Sequence, residues 1–414
     1  MRRGVIFLAA ALAAALLLAG CTSRNDEAAE TEAAAAPTES AADTAEAAAE
    51  PETAETPEPT EDVDDTVVIC GAEYDADTTE LDLSALTPED TDEAAAALAK
   101  LTVLESVELM DAEGASALTL SDVKTLEDAA PQAVFHYTFE LFGQSISTDD
   151  KVIEFTGADI GNEGMEQIRQ ALDVLCCCTY FKLDECGIDN EVMAELRDDY
   201  PDTKIVWRVF FGEYMNCLTD EVTIRAIFKL TDANCEALKY CTEVKYMDIG
   251  HNTDLHNVDF VAYMPELEYV IVSGSPFTDL SPFANCPNLE FLEIVWCGVS
   301  DISTLSACTN LKYLNISYCA VSDISALAEL PLERFCYLGN ILSGEEIADF
   351  KAAHPDCWTT TTGTQPYGEG WRYDDAGYTY CDMYKFVRTV FNYDNNFYNK
   401  YNRGYGCVEP YDSF

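Results

Sequence analysis

The sequence predicts an α/β solenoid, with parallel β-strands on a concave face, helices and turns on the convex face, and a C-terminal cap. Three observations predict it. "LEYVIVSGSPFTDLS" from Leu267, "LEFLEIVWCGVSDIS" from Leu289, "LKYLNISYCAVSDIS" from Leu311 and "LERFCYLGN" from Leu332 start 22, 22 and 21 residues apart, and "VKYMDIGHNTDL" from Val244 is an earlier copy. Upstream, "TLEDAAPQAVFHY" and "AELRDDYPDTKIVW" each leave a helix-like run at a proline and enter an alternating strand, with Pro131 and Pro201 70 residues apart. Finally, many of the cysteines fall into register with the shorter period. A chain of such units buries its apolar residues only by stacking each unit on the next.

The N-terminus comes first. Met1-Arg2-Arg3 is basic, Gly4 to Leu17 is almost wholly apolar, and Leu18-Ala19-Gly20-Cys21 follows. A basic start and a short apolar run read as a secretory signal over 1–21, the run being marginal for the roughly 20 residues of a spanning helix. Small residues before a cysteine resemble the lipobox of bacterial lipoproteins. That resemblance implies acylation of Cys21, a lipid anchor in the membrane, and a place in the bacterial cell envelope facing outside the cytoplasmic membrane. Residues 22–65 are mostly Ala, Glu, Thr, Asp and Pro, with Arg24 as the one basic residue. Such a stretch buries too little to fold and self-repels, so an extended acidic linker is expected.

Residues 66–230 carry the longer period. Phe135, Tyr137, Phe139 and Leu141 match Ile205, Trp207, Val209 and Phe211 on one strand face, and "STDDKVIEF" matches "LTDEVTIRA". Each unit of about 70 residues is expected to hold three strand turns, with helices such as Asp92–Leu101 and Glu163–Leu175 between them. Residues 231–357 hold the regular block and a final long unit, "ADFKAAHPDCW". The pattern L-x-x-L-x-L-x-x-N/C-x-L resembles leucine-rich repeats. Its "DIS" endings and 22-residue period are similar to the internalin type, and the upstream units look like longer repeats of the ribonuclease-inhibitor kind. Residues 358–414 are expected to be a Tyr-rich cap. In it Met383, Phe386, Val387, Val390 and Phe391 share a helix face suited to covering the last rung and its edge strand.

The run Cys176-Cys177-Cys178 with Cys186 fits the same frame: Cys178 takes the first leucine position and Cys186 the N/C position. At that second position other copies carry Asn252, Ser275, Cys297, Cys319 and Asn340. A further column reads Cys241, Met264, Cys286 and Cys308. Free cysteine behaves as a small hydrophobe, so packing is the expected role. No CxxC pair occurs, and the four histidines have no zinc-like spacing with the cysteines, so no metal is expected. Beyond Cys21 sixteen cysteines remain, an even number that leaves disulfides open.

No nucleophile elbow, phosphate-cradling loop, H-E-x-x-H or EF-hand loop is present, so neither catalytic residue nor cofactor is assigned. The formal charge of -53 argues against nucleic acid. Alternation along a strand turns Tyr246, Tyr269, Phe291 and Tyr313 outward as one column, with Tyr180 upstream in line. Asp248, Ile271, Glu293 and Asn315 form a second column, and His251, Gly274, Trp296 and Tyr318 a third at the strand edge. Two readings of the aromatics stand side by side: a recognition surface, or rings stacked because aromatics suit strands. The ligand-binding set is Tyr246, Tyr269, Phe291, Tyr313, Trp296, Tyr318, Glu293 and Asp248. The internalin-type resemblance and the lipoprotein tether imply a non-enzymatic surface protein that binds an extracellular protein or glycan, and a monomer is expected. A structural envelope role, or an enzymatic activity in the C-terminal segment, are the alternatives.

Overall fold

The computed structural model describes residues 66–360, 365–368, 370–374 and 379–393. The expected signal peptide with Cys21, the acidic linker and residues 394–414 lie outside the described residues. Among the described residues, no helix is long and apolar enough to cross a membrane.

An antiparallel hairpin, β1 (Thr66–Ile69) and β2 (Ala72–Asp75), leads into three parallel rungs: β3 (Glu80–Asp82), β4 (Ser106–Glu108) and β5 (Val134–His136). A hairpin follows, β6 (Thr138–Leu141) with β7 (Gln144–Ser147). The pattern then recurs. β8 (Val152–Thr156), β9 (Tyr180–Asp184) and β10 (Lys204–Phe211) are parallel, and β10 turns back on β11 (Met215–Leu218). The last sheet has seven parallel strands: β12 (Thr223–Arg225), β13 (Tyr246–Asp248), β14 (Tyr269–Ile271), β15 (Phe291–Glu293), β16 (Tyr313–Asn315), β17 (Arg334–Cys336) and β18 (Trp358–Thr359). Two units of three rungs plus a hairpin thus precede the regular block. The hairpins break the ladder into separate sheets, which the repeat pattern alone did not indicate.

The proline signature has a common backbone cause. The helices Leu120–Ala129, Asn190–Asp199 and Gly344–Ala353 end at Ala130, Tyr200 and His354, each just before a proline. These three residues share φ near −130° and ψ near +65° (−136°/65°, −121°/67° and −125°/66°). A following proline disfavours the helical region for the residue before it, so each helix stops there and the chain runs into a strand. Two of these helices start at capping boxes, Thr119 with Asp122 and Ser343 with Glu346. The 22-residue rungs have no room for an α-helix and carry short 3-10 turns instead, such as Ser281–Asn285 and Ser303–Ala307. The "D-x-S" endings serve those turns. Asp279, Asp301 and Asp323 accept from the amides of Ser281, Ser303 and Ser325 at 2.7–2.8 Å.

One core cluster runs from Leu141 to Phe350 through the inward residues Met247, Val270, Leu292 and Leu314, all fully buried. The first three rungs hold a second cluster, from Val67 to Tyr137 and joined by Val174. Beside that cluster lies an unpaired acid. Glu127 Oε1 is buried without a partner, and burial raises the carboxyl to about 7. The sign follows. In the unfolded chain Glu127 titrates near its ordinary 4.5, so stability falls as pH rises from there through about 7. Glu127→Gln should therefore leave the melting temperature nearly unchanged at pH 4 and raise stability at pH 8. The gain should be on the order of 1–2 kcal/mol after allowance for the solvent-exposed part of the group. An equal shift at both pH values would count against this.

Candidate functional site

The expected register is present. Tyr246, Tyr269, Phe291 and Tyr313 lie opposite one another on successive strands, and so do Asp248, Ile271, Glu293 and Asn315. Tyr269 stacks on Phe291 at 5.5 Å between ring centroids and meets Tyr246 at 6.0 Å. The hydroxyls of Tyr246 and Tyr313 donate to Glu268 (3.1 Å) and Glu333 (2.8 Å), carboxylates of the next rung. Tyr180, expected in line upstream, is half-buried and donates to Asp220.

The expected openness of this face is not present. Tyr269, Phe291, Asp248 and Glu293 are buried, and Tyr246 and Tyr313 half-buried. What covers them is the chain itself. The helix Asp382–Val390 does not sit over the last rung; it lies on the concave face, with Phe386 4.8 Å from the Tyr269 ring and 6.0 Å from Tyr246. Trp371 packs on Phe291 at 5.7 Å, and its indole N–H donates to Glu293 at 2.6 Å. Arg372 donates to the other Glu293 oxygen at 2.7 Å. Tyr393 donates to Asp248 at 2.6 Å, Arg225 to Phe391 O at 2.7 Å, Asn315 to Pro366 O at 2.9 Å and Arg334 to Gly370 O at 2.7 Å. Burial raises the Asp248 carboxyl, while the Tyr393 hydroxyl and the Arg225 charge pull it back. The face is hydrophobic enough to form a core of its own, joining Tyr269, Ile271, Phe291 and Cys336 to Trp371, Met383, Tyr384, Val387 and Phe391. A recognition site made of Tyr269, Phe291, Asp248 and Glu293 is therefore closed to solvent.

The third column behaves differently. Trp296 and Tyr318 are exposed, 46% and 44%, and stack at 5.6 Å; Tyr367 meets Trp296 edge-on at 5.3 Å. On earlier rungs Phe228, 56% exposed, stacks on His251 at 5.2 Å. All four residues have left-handed backbone, with φ of 63°, 59°, 58° and 58° in chain order, and Gly274 and Gly339 take the same turn on the rungs between and after. The turn after each strand requires this conformation, which glycine adopts freely and which costs a bulky L-residue roughly 1–2 kcal/mol. Gly274 leaves room for His251, and a Cβ at Gly339 would fall 2.4 Å from Tyr318. Phe228 was not singled out in the sequence; the signal that could have found it is its position just before the N/C site of its rung.

The N/C position shows why cysteine substitutes for asparagine. Asn252 Nδ2 donates to Ala226 O at 2.9 Å and Asn340 Nδ2 to Ile316 O at 2.8 Å. Cys319 Sγ makes the equivalent bond to Ile294 O at 3.0 Å and Cys297 Sγ to Val272 O at 3.5 Å. Each ties its strand to the rung before. Burial lifts the Cys319 thiol to about 11 and Cys286 to about 12, which disfavours thiolate. All fifteen described cysteines are free, and Cys176 is exposed. Among the described residues no group of His, Cys, Asp and Glu is arranged to hold a metal ion.

One arrangement has the outline of acyl-transfer chemistry. His136 Nε2 lies 3.1 Å from Ser106 Oγ, and its Nδ1 lies 2.9 Å from Asp149. The amide of Ser106 is committed to Thr79 O and that of Asp149 to Ser147 Oγ, so neither is available to hold an oxyanion. The row fastens adjacent rungs and the following hairpin.

A leucine-rich-repeat family model matches residues 307–328. No curated protein matches the chain. Among solved structures, the chain is similar to an internalin C2 of Listeria monocytogenes at 18% identity, over 61% of this chain and 80% of that one, with a TM-score of 0.29. A leucine-rich-repeat protein of Leptospira interrogans is similar at 13% identity, over 64% and 74%, with a TM-score of 0.31. The functional domain of InlJ from Listeria monocytogenes, which includes a cysteine ladder, is similar at 14% identity, over 67% and 48%, with a TM-score of 0.28. The matched repeat and the seven parallel rungs in register make this chain, in fold, a leucine-rich-repeat solenoid.

Proposed function

We propose that this is a non-enzymatic binding protein of the bacterial cell envelope, held to the membrane through acylated Cys21 and recognising an extracellular protein or glycan. The observation that carries the binding role is the exposed aromatic edge of Phe228, His251, Trp296 and Tyr318. Rings occupy turns whose backbone favours glycine, so stability does not account for them, and exposed aromatics supply contact area at low entropy cost. The ligand-binding set read from the sequence contracts to Trp296 and Tyr318, and Phe228 and His251 join it.

Two measurements test this. In Trp296→Gly/Tyr318→Gly, relief of the left-handed turn offsets the lost stacking, so melting should stay within about 1 kcal/mol of the parent. Capture of isolated cell-wall glycan or extracellular protein should weaken by about 2 kcal/mol, roughly thirtyfold. Undiminished capture, or early melting, would make the edge a packing feature. For the anchor, Cys21→Ser should move the chain from the membrane fraction to the soluble one; a substituted chain that stays acylated would overturn that part.

A further inference from the structure

Six successive strands, β12 to β17, each place a concave-face residue on the C-terminal segment. The residues are Arg225, Asp248, Tyr269, Glu293, Asn315 and Arg334, and their partners span Pro366 to Tyr393. Among its described residues, the segment adds no strand to the ladder. It touches the sheet through side chains and carbonyls, as a bound peptide does. Its chemistry is also that of a ligand matched to this face. Trp371 and Arg372 converge on the fully buried carboxylate of Glu293, and Phe386 sits over the tyrosine column. The Arg372 guanidinium also packs over the Tyr367 ring at 4.5 Å and the Tyr384 ring at 4.8 Å. The rungs beneath keep a separate, continuous core on the other side of the sheet, which does not include any residue of this segment.

We propose that the concave face is a peptide-binding surface occupied in cis by the C-terminal segment, and that a second polypeptide presenting the same Trp-Arg pair and aromatic helix competes for it. The recognising chemistry is a guanidinium and an indole N–H meeting Glu293, with an aromatic ring over Tyr246 and Tyr269. Because the occupant is tethered, its effective concentration is on the order of millimolar, so an external peptide binds weakly while the tether is seated. This inference concerns the covered face, which adjoins the exposed edge where Tyr367 meets Trp296.

The probe is a fluorescent synthetic peptide of residues 365–393, titrated into the full chain and into full-length Trp371→Ala/Phe386→Ala, which weakens the tethered copy and leaves the strands intact. The doubly substituted chain should bind the peptide at least tenfold more tightly than the parent. A peptide carrying Trp371→Ala and Arg372→Ala should lose that binding, and Phe228→Gly in the chain, at an exposed ring that stacks on His251, should not affect it. Hydrogen exchange of β12 to β17 is followed in parallel. Equal peptide affinity for parent and variant with the rungs still protected would overturn the proposal. So would loss of protection throughout the rungs, since the segment would then be an integral part of the fold rather than an occupant.

Discussion

Glu293→Ala is expected to destabilise the chain by about 3–5 kcal/mol, the range for removing one partner of a buried ion pair. Glu293 is fully buried, accepts from Trp371 and Arg372, and sits 78 and 79 residues from them in sequence. Its loss leaves the Arg372 guanidinium, whose side chain is 24% exposed, facing an apolar cluster without its carboxylate. The desolvation already incurred by the arginine is then uncompensated. Glu293→Gln should cost less, because an amide oxygen still accepts one of the two bonds. Chemical denaturation followed by tryptophan fluorescence reads both. A loss below about 1 kcal/mol for the alanine variant would mean that the pair contributes little beyond what water supplies.

The second large effect is Phe291→Ala, at about 3–5 kcal/mol, beside Leu292→Ala at about 2–5 kcal/mol. The two residues are adjacent and both fully buried, but they face opposite sides of β15. Phe291 supports Trp371 and stacks on Tyr269, so its removal should loosen the C-terminal segment first. Leu292 belongs to the continuous core, so its removal should lower the protection of the neighbouring rungs. Hydrogen exchange resolved by segment separates the two. Identical exchange patterns for both variants would mean that the faces unfold as one unit. This also revises the reading of Phe291 as an outward ligand contact.

Much of this architecture is legible in the sequence. A strand turns alternate residues to opposite faces, so the spacing of Leu289, Leu292 and Ile294 determines which side chains enter the core and which share the outer column. The same spacing aligns Cys297 and Cys319 with Asn252, because an inward thiol and an inward amide both reach the carbonyl of the preceding rung. The pre-proline residues Ala130, Tyr200 and His354 likewise mark the ends of helices locally.

What only the tertiary structure decided is which outward surfaces meet solvent. The apolar face of the helix Asp382–Val390 shows that it must be buried, but periodicity does not say against what. The last rung and the concave sheet were equally compatible partners, and the choice rests on Trp371 and Arg372 meeting Glu293 across nearly eighty residues. A contact of that separation leaves no local pattern, since neither partner's neighbours in sequence take part in it. The same holds for the aromatic edge. Trp296 and Tyr318 read from the sequence as ligand contacts on the same footing as Phe291 and Tyr313, until exposure and left-handed backbone set them apart from those two, which the C-terminal segment covers.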